Sequence, residues 1–235
     1  MIIQKIAVVT PYHNANEAHL RKAHESVLAQ TVPARHVLVA DGTPIPSVNS
    51  WDADHIILPR PHGDCGDCAR AVGVVHAAGL GFDAVALLDD DNWFEPWHLQ
   101  HLVDLQDRTG ANFLCSGRYL TRLDGSVMGV DETIDPQKFV DTNCMLFTRE
   151  LFPLVMRWVN MPECGHAVGD RVIHQYFRQN GARIAHDPRP SSYYRCTKPG
   201  VYRRFGETPP EGCDPQPDYS EAFRKWVEAG EEPLI

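Results

Sequence analysis

The chain has 235 residues, with 43% hydrophobic and 23% charged residues, the composition of an ordinary globular domain. Thirty-one acidic residues against 22 basic ones give a net charge of −9, which excludes a global basic footprint for nucleic acid. No run of about 18 apolar residues occurs, so no stable membrane insertion is expected. The opening MIIQKIAVVTPY lacks a charged n-region and a small-residue cleavage site, so it reads as a strand and not as a signal peptide. The seven Cys, at 65, 68, 115, 144, 164, 196 and 213, then read as free thiols in a cytoplasmic protein.

In chain order, Ile6-Ala7-Val8-Val9 is a short continuous apolar run, as in a strand buried on both faces. Asn16 is placed to cap a helix that carries Leu20, Ala23, Val27 and Leu28. His36 to Ala40 is a second strand, stopped by the turn signal Asp41-Gly42-Thr43-Pro44. His55 to Leu58 is a third strand, and residues 63–79 carry a helix. Ala84 to Leu88 is a fourth strand, and Pro96 opens a helix with Leu99, Leu102 and Val103 inward. Strands separated by helices imply βαβ crossovers and a mostly parallel α/β sheet. Ligands of such sheets bind outside the carboxyl ends of the strands. The residues there are Thr10-Pro11-Tyr12, Asp41-Gly42 and Asp89-Asp90-Asp91-Asn92.

Further on, Leu123 to Ser126 reads as a hairpin turn. Asn143 to Thr148 is apolar, and Arg149 to Trp158 reads as a helix. A helix follows Gly169-Asp170 and is ended by Gly181. Pro188 to Pro217, rich in Pro, Gly and Arg, reads as a long loop or arm whose Arg195, Lys198, Arg203 and Arg204 suit closure over a diphosphate. A final helix, Ser220 to Ala229, aligns Phe223, Trp226 and Val227, either on the core or in a homodimer interface.

Three consecutive carboxylates after a buried strand repel one another unless something positive arrives. Mg²⁺ or Mn²⁺ fits, since both take oxygen ligands from one or two carboxylates plus substrate phosphates. Strand alternation puts Asp89 and Asp91 on one face. The alternative is a solvated acidic turn. Cys65-x-x-Cys68 is half of a zinc or redox motif, for which Cys164 and His166 are the only evident completion.

These residues together carry a resemblance. VVTPYHNANEAHLRKAHESVLAQTVPARHVLVADGTP resembles the start of family 2 glycosyltransferases of the GT-A fold, with Ser26 to Thr31 matching its Ser-Val-x-x-Gln-Thr segment. AVALLDDDNWFEPWHL resembles the family's DxD strand and following helix. CARAVGVVHA resembles its Arg-Asn-x-Gly segment, with Ala71 at the Asn. GDRVIHQYFRQNG resembles its Glu-Asp helix start, with Gly169 at the Glu. YYRCTKPG resembles its Tyr-Arg-x-His-x-Gly segment, with Thr197 at the His. The likeness covers about residues 5 to 200 and is most specific over the first 100.

The resemblance implies a metal-dependent transferase that moves a sugar from a nucleoside-diphosphate sugar, a UDP-sugar first among them, to a carbohydrate or small-molecule acceptor hydroxyl with inversion. It implies that Tyr12 stacks on the base, flanked by Thr10 and Pro11, and that Asp41 accepts a hydrogen bond from the base. It places Arg70 near the diphosphate, Asp89, Asp90 and Asp91 at the metal and ribose, and Asp170 as catalytic base. With Thr197 in place of the His, His186 is a substitute metal ligand. The halves expected are residues 1–115 for the donor and 116–200 for the acceptor, followed by an arm, 201–235. The rivals are a non-catalytic nucleotide-sugar binder and a sugar nucleotidyltransferase. The latter's Gly-rich loop is replaced here by TPYHNANE.

Overall fold

The computed structural model describes residues 2–215 and 219–234. The first strand, β1, is Ile6–Tyr12 and is buried throughout. Ala7 and Val9 enter one apolar cluster and Ile6 and Val8 another, so the unbroken apolar run reflects cover on both faces. Helix α1, Glu17–Leu28, starts where Asn16 Oδ1 accepts hydrogen bonds from Ala18 N at 2.9 Å and His19 N at 3.3 Å. Strands β2 (Ala34–Asp41), β3 (Asp54–Leu58) and β4 (Ala84–Leu87) continue the parallel sheet. Helix α2, Asp67–Gly79, packs so closely on β1 that a Cβ at Gly73 would stand 2.4 Å from Val9 Cγ1.

The remaining elements are β5 (Trp93–Phe94), α3 (His98–Thr109), β6 (Phe113–Thr121), β7 (Val127–Val130), β8 (Met145–Thr148), α4 (Met156–Asn160), α5 (Gly169–Gln179), β9 (Ile184–Arg195), α6 (Pro199–Arg204) and α7 (Tyr219–Glu228). Among the described residues the sheet runs β3-β2-β1-β4-β8-β6-β9-β5, with β7 on β6. Strand β8 is antiparallel to both β4 and β6, so β6 and its parallel neighbour β9 point the same way as β1. The sheet is continuous across residue 115, which lies inside β6.

Several expectations are corrected. Residues 188–195 are not a loop. They extend β9, because Ser192 to Arg195 pair with Arg118 to Thr121 of β6 and bury Ser191, Ser192 and Arg195. Beyond Arg195 the chain packs Cys196 and Tyr202 against Leu120 of β6 and forms α6, and the end of the expected arm, Pro217, lies outside the described residues. Residues 149–158 are not one helix. Pro153 lacks an N–H, and a 3-10 turn over 149–155 precedes α4. Pro96 precedes α3, whose N-cap is Trp97. Leu28 and Val227 face solvent, while Ala222 and Trp226 form the buried face of α7. No helix among the described residues is long and apolar enough to cross a membrane.

Candidate active site

The turns after β1, β2 and β4 meet at one edge of the sheet, as parallel topology requires. They form a cleft of about 360 Å³ lined by Pro11, Tyr12, Asp41, Arg70 and Asp89 to Asp91, together with the loop 63–66. The loop reaches the cleft because Gly42, at φ +77°, lets the chain at Pro61 approach: a Cβ there would stand 2.3 Å from Pro61 N. Asp64 Oδ2 accepts from Cys68 N at 2.9 Å, fixing the start of α2. Cys65 lines the cleft and Cys68 lies in the first turn of α2, and both are free thiols whose burial raises their pKa.

Arg70 is the hub. It is 8% exposed, and its guanidinium donates to Asp89 Oδ1 at 2.7 Å, Asp67 Oδ1 at 3.2 Å and the Cys65 carbonyl at 2.9 Å. Asp89 is further fixed by Asn143, whose Oδ1 accepts from Asp89 N at 2.8 Å and whose Nδ2 donates to Asp89 Oδ2 at 3.0 Å. Asp90 and Asp91 carry no such pairing of their side chains. Burial, followed by repulsion from Asp89, pushes Asp90 up to about 7, and burial with repulsion from Asp90 and Asp89 does the same for Asp91. The opposing charge that bears on Asp91 is Arg195, whose Nε donates to the Asp91 carbonyl at 3.2 Å. Negative charge at this point is therefore under-compensated by the chain itself.

Tyr12 forms part of the wall, at 2% exposure. Its hydroxyl donates to His55 Nε2 at 2.6 Å and accepts from Ile45 N at 3.2 Å, and its ring stacks on His55. Both oxygens of Asp41 are engaged by His62, through its backbone N at 2.9 Å and Nδ1 at 2.6 Å. Each keeps a further lone pair for a ligand. Thr10 points away from the cleft, fully buried, with its Oγ1 2.9 Å from His36 Nε2.

A second cavity, about 460 Å³, is lined by Arg118, Asp131, Asp141, Asp170, Tyr194 and Lys198, among others. Arg118 is held by Asp131 and Asp141 and lies 4.2 Å from the Tyr194 ring centroid. Asp141 links the two spaces: its negative charge bears on Arg70 in the first and on Asp170 in the second. Asp170 lies inside the first turn of α5, not at the N-cap, which is Val168. Burial, then the Asp141 charge, push its carboxyl up to about 7.

His186 is not brought to the acidic cluster. It pairs with Cys115 in β6, six residues and roughly 20 Å of strand from Thr121, which pairs with the Arg195 that reaches Asp91. No group of three or more His, Cys, Asp or Glu among the described residues is arranged as a metal cage. The residues that fit Mg²⁺ or Mn²⁺ are the under-compensated Asp90 and Asp91, a donor set that leaves remaining positions for phosphate and water oxygens. His62, Asn143, Arg118 and Asp141 escaped the sequence reading. Only Asp141-Thr142-Asn143, an Asx-type turn whose Asp141 Oδ1 accepts from Asn143 N at 3.0 Å, left a local signal.

The parallel half-sheet, the antiparallel β8 inserted beside β4, and an acidic cluster at the β4 exit define a GT-A glycosyltransferase fold. Residues 7–177 match the family model "Glycosyl transferase family 2", and the chain belongs to that family. A curated relative, the succinoglycan biosynthesis protein ExoW of Rhizobium meliloti (strain 1021), is 28% identical over 184 residues, covering 64% of this chain and 57% of ExoW. The chain thus spans little more than half the length of that relative. Similar solved structures include S. aureus TarS 1-349 in complex with UDP-GlcNAc, at TM-score 0.67 and 15% identity, covering 95% of this chain and 66% of that one. TarS 1-349 in complex with UDP matches at TM-score 0.63 and 16% identity, over 86% and 63%. At these identities the likeness is one of fold.

Proposed function

We propose that the protein transfers a sugar from a nucleoside-diphosphate donor, a UDP-sugar, to a hydroxyl of a carbohydrate or small-molecule acceptor. The observation that carries this reading is the convergence of Arg70 and Asp89 to Asp91 on one cleft, with Asp170 in a neighbouring cavity tied to it through Asp141. The printed ligands of the TarS structures, UDP and UDP-GlcNAc, support the choice of donor.

In this reading the base lies against Tyr12 and Pro11, with Asp41 accepting from it. Arg70 faces the diphosphate and stabilises the negative charge that develops as the sugar leaves. Asp90 and Asp91 hold Mn²⁺ or Mg²⁺, which when bound supplies Lewis-acid neutralisation of phosphate oxygens. Asp89 braces Arg70 through Oδ1 and accepts from Asn143 through Oδ2, and each oxygen keeps a further lone pair toward the cleft. Asp170 takes the proton of the acceptor hydroxyl as it attacks the anomeric carbon from the face opposite the leaving group, which gives inversion.

The test is donor consumption with UDP-sugars, with and without Mn²⁺ and acceptor. Turnover that needs the metal and disappears in Asp170→Asn is expected. Tight UDP binding with no turnover under any condition would refute transfer and leave a binding protein.

A further inference from the structure

Asp67 belongs to neither cavity, and the chemistry above makes no use of it. It lies in the first turn of α2 and is 2% exposed. Its Oδ2 accepts from His166 Nδ1 at 2.9 Å, and its Oδ1 accepts from Arg70 Nη1 at 3.2 Å. The α carbon of Gly169, the first residue of α5, faces the same carboxylate. A Cβ at 169 would stand 2.5 Å from Oδ2 and 2.8 Å from Oδ1. The carboxylate therefore occupies the space a side chain at 169 would need.

These contacts join the helix that carries Arg70 to the start of the helix that carries Asp170. His166 sits in the 3-10 turn 163–168 that leads into α5. That turn is seated from outside by Trp226, whose ring is so close to Gly165 that a Cβ there would stand 2.6 Å away. Trp158 Nε1 donates to the Gly169 carbonyl at 3.0 Å. A carboxylate buried this deeply is costly unless paired. An apolar side chain would fill the same volume without that cost, but it could not orient an imidazole and a guanidinium at once.

We propose that Asp67 and His166 form a positioning pair that fixes the first turn of α5, and so Asp170, relative to Arg70. The proposal rests on the roles given to Asp170 and Arg70 above. Neither Asp67 nor His166 lines either cavity. Their effect reaches the reaction through the placement of α5, where an error of about 1 Å costs on the order of 100-fold in rate.

The experiment compares His166→Ala with His166→Asn, whose amide can donate from about the position of Nδ1, and measures kcat and donor KM for transfer. His166→Ala is expected to lower kcat by roughly 10- to 100-fold with donor KM within about threefold, and His166→Asn to recover most of it. Equal impairment of the two variants, or a change confined to KM, overturns the proposal. A melting cycle reads the geometry without turnover. Gly169→Ala lowers the melting temperature in the parent, where it meets Asp67, and has little effect in Asp67→Ala. Additive losses in the double variant overturn the proposal. Absence of turnover in the parent chain overturns the transferase reading and leaves the melting cycle to decide this one.

Discussion

The protonation of Asp170 gives the sharpest check on the mechanism. A general base must be ionised before it can accept a proton, and burial with the Asp141 charge holds this carboxyl near 7. With a pKa of about 7, roughly one-eleventh of the protein carries ionised Asp170 at pH 6 and about ten-elevenths at pH 8. The ratio kcat/KM should therefore rise roughly tenfold between those values, with unit slope on the acid side. Asp141→Asn removes the nearest negative charge acting on Asp170, so the ascending limb should move to lower pH. Asp170→Asn should cost about 10²–10⁴ in rate while UDP affinity, measured by calorimetry, stays within about threefold. Steady-state rates of UDP release from pH 5.5 to 9 at saturating Mn²⁺ provide the profile. A flat profile in the parent, a limb that Asp141→Asn leaves in place, or an active Asp170→Asn would each refute Asp170 as the base.

Other expectations concern the supports of the site. Asn143 is fully buried beside Asp89, so Asn143→Ala leaves Asp89 N and Oδ2 without the partners that hold them. It should cost about 1–3 kcal/mol in chemical denaturation and weaken UDP-sugar binding. Gly73→Ala drives a methyl into Val9 of β1 and should cost about 1–3 kcal/mol, read as a lower melting temperature with intact secondary structure by circular dichroism. The buried chain His24–His36–Thr10 sets an acid limit. Burial, then neighbouring positive charge, holds His36 well below its usual value, and burial lowers His24, His98 and His174 as well. The unfolded chain thus binds more protons, and stability should fall as pH drops below about 6.5. Urea melts should show His36→Gln to be less sensitive to pH across 6.5 to 5 than the parent, and an unchanged slope would contradict this.

The first half of the fold was legible because its signals are local. The Asn16 cap, the apolar runs of β1, β2 and β4, and the turn at Gly42 all depend on residues within a few positions. The polar residues that end each parallel strand follow directly from that pattern, which is how Tyr12, Asp41 and the aspartates were singled out. The second half resisted. Residues 188–195 have loop composition, yet pairing with β6 on one side and β5 on the other makes them part of the sheet. The two-residue strand Trp93–Phe94 exists only because β9 is there to receive it.

What sequence alone determined was the succession of four strands with helices between them along the chain and the polar residues at the strand ends, since hydrophobic periodicity and turn residues act over a few positions. Tertiary packing decided which of those groups meet. It took Thr10 inward to His36 and kept His186 far along β9. It also brought Asn143 and Asp141, more than fifty residues beyond Asp89, against the acidic cluster and Arg70. Long-range contacts of that kind are set by the crossing of β8 between β4 and β6, and no local pattern encodes where that crossing places a side chain.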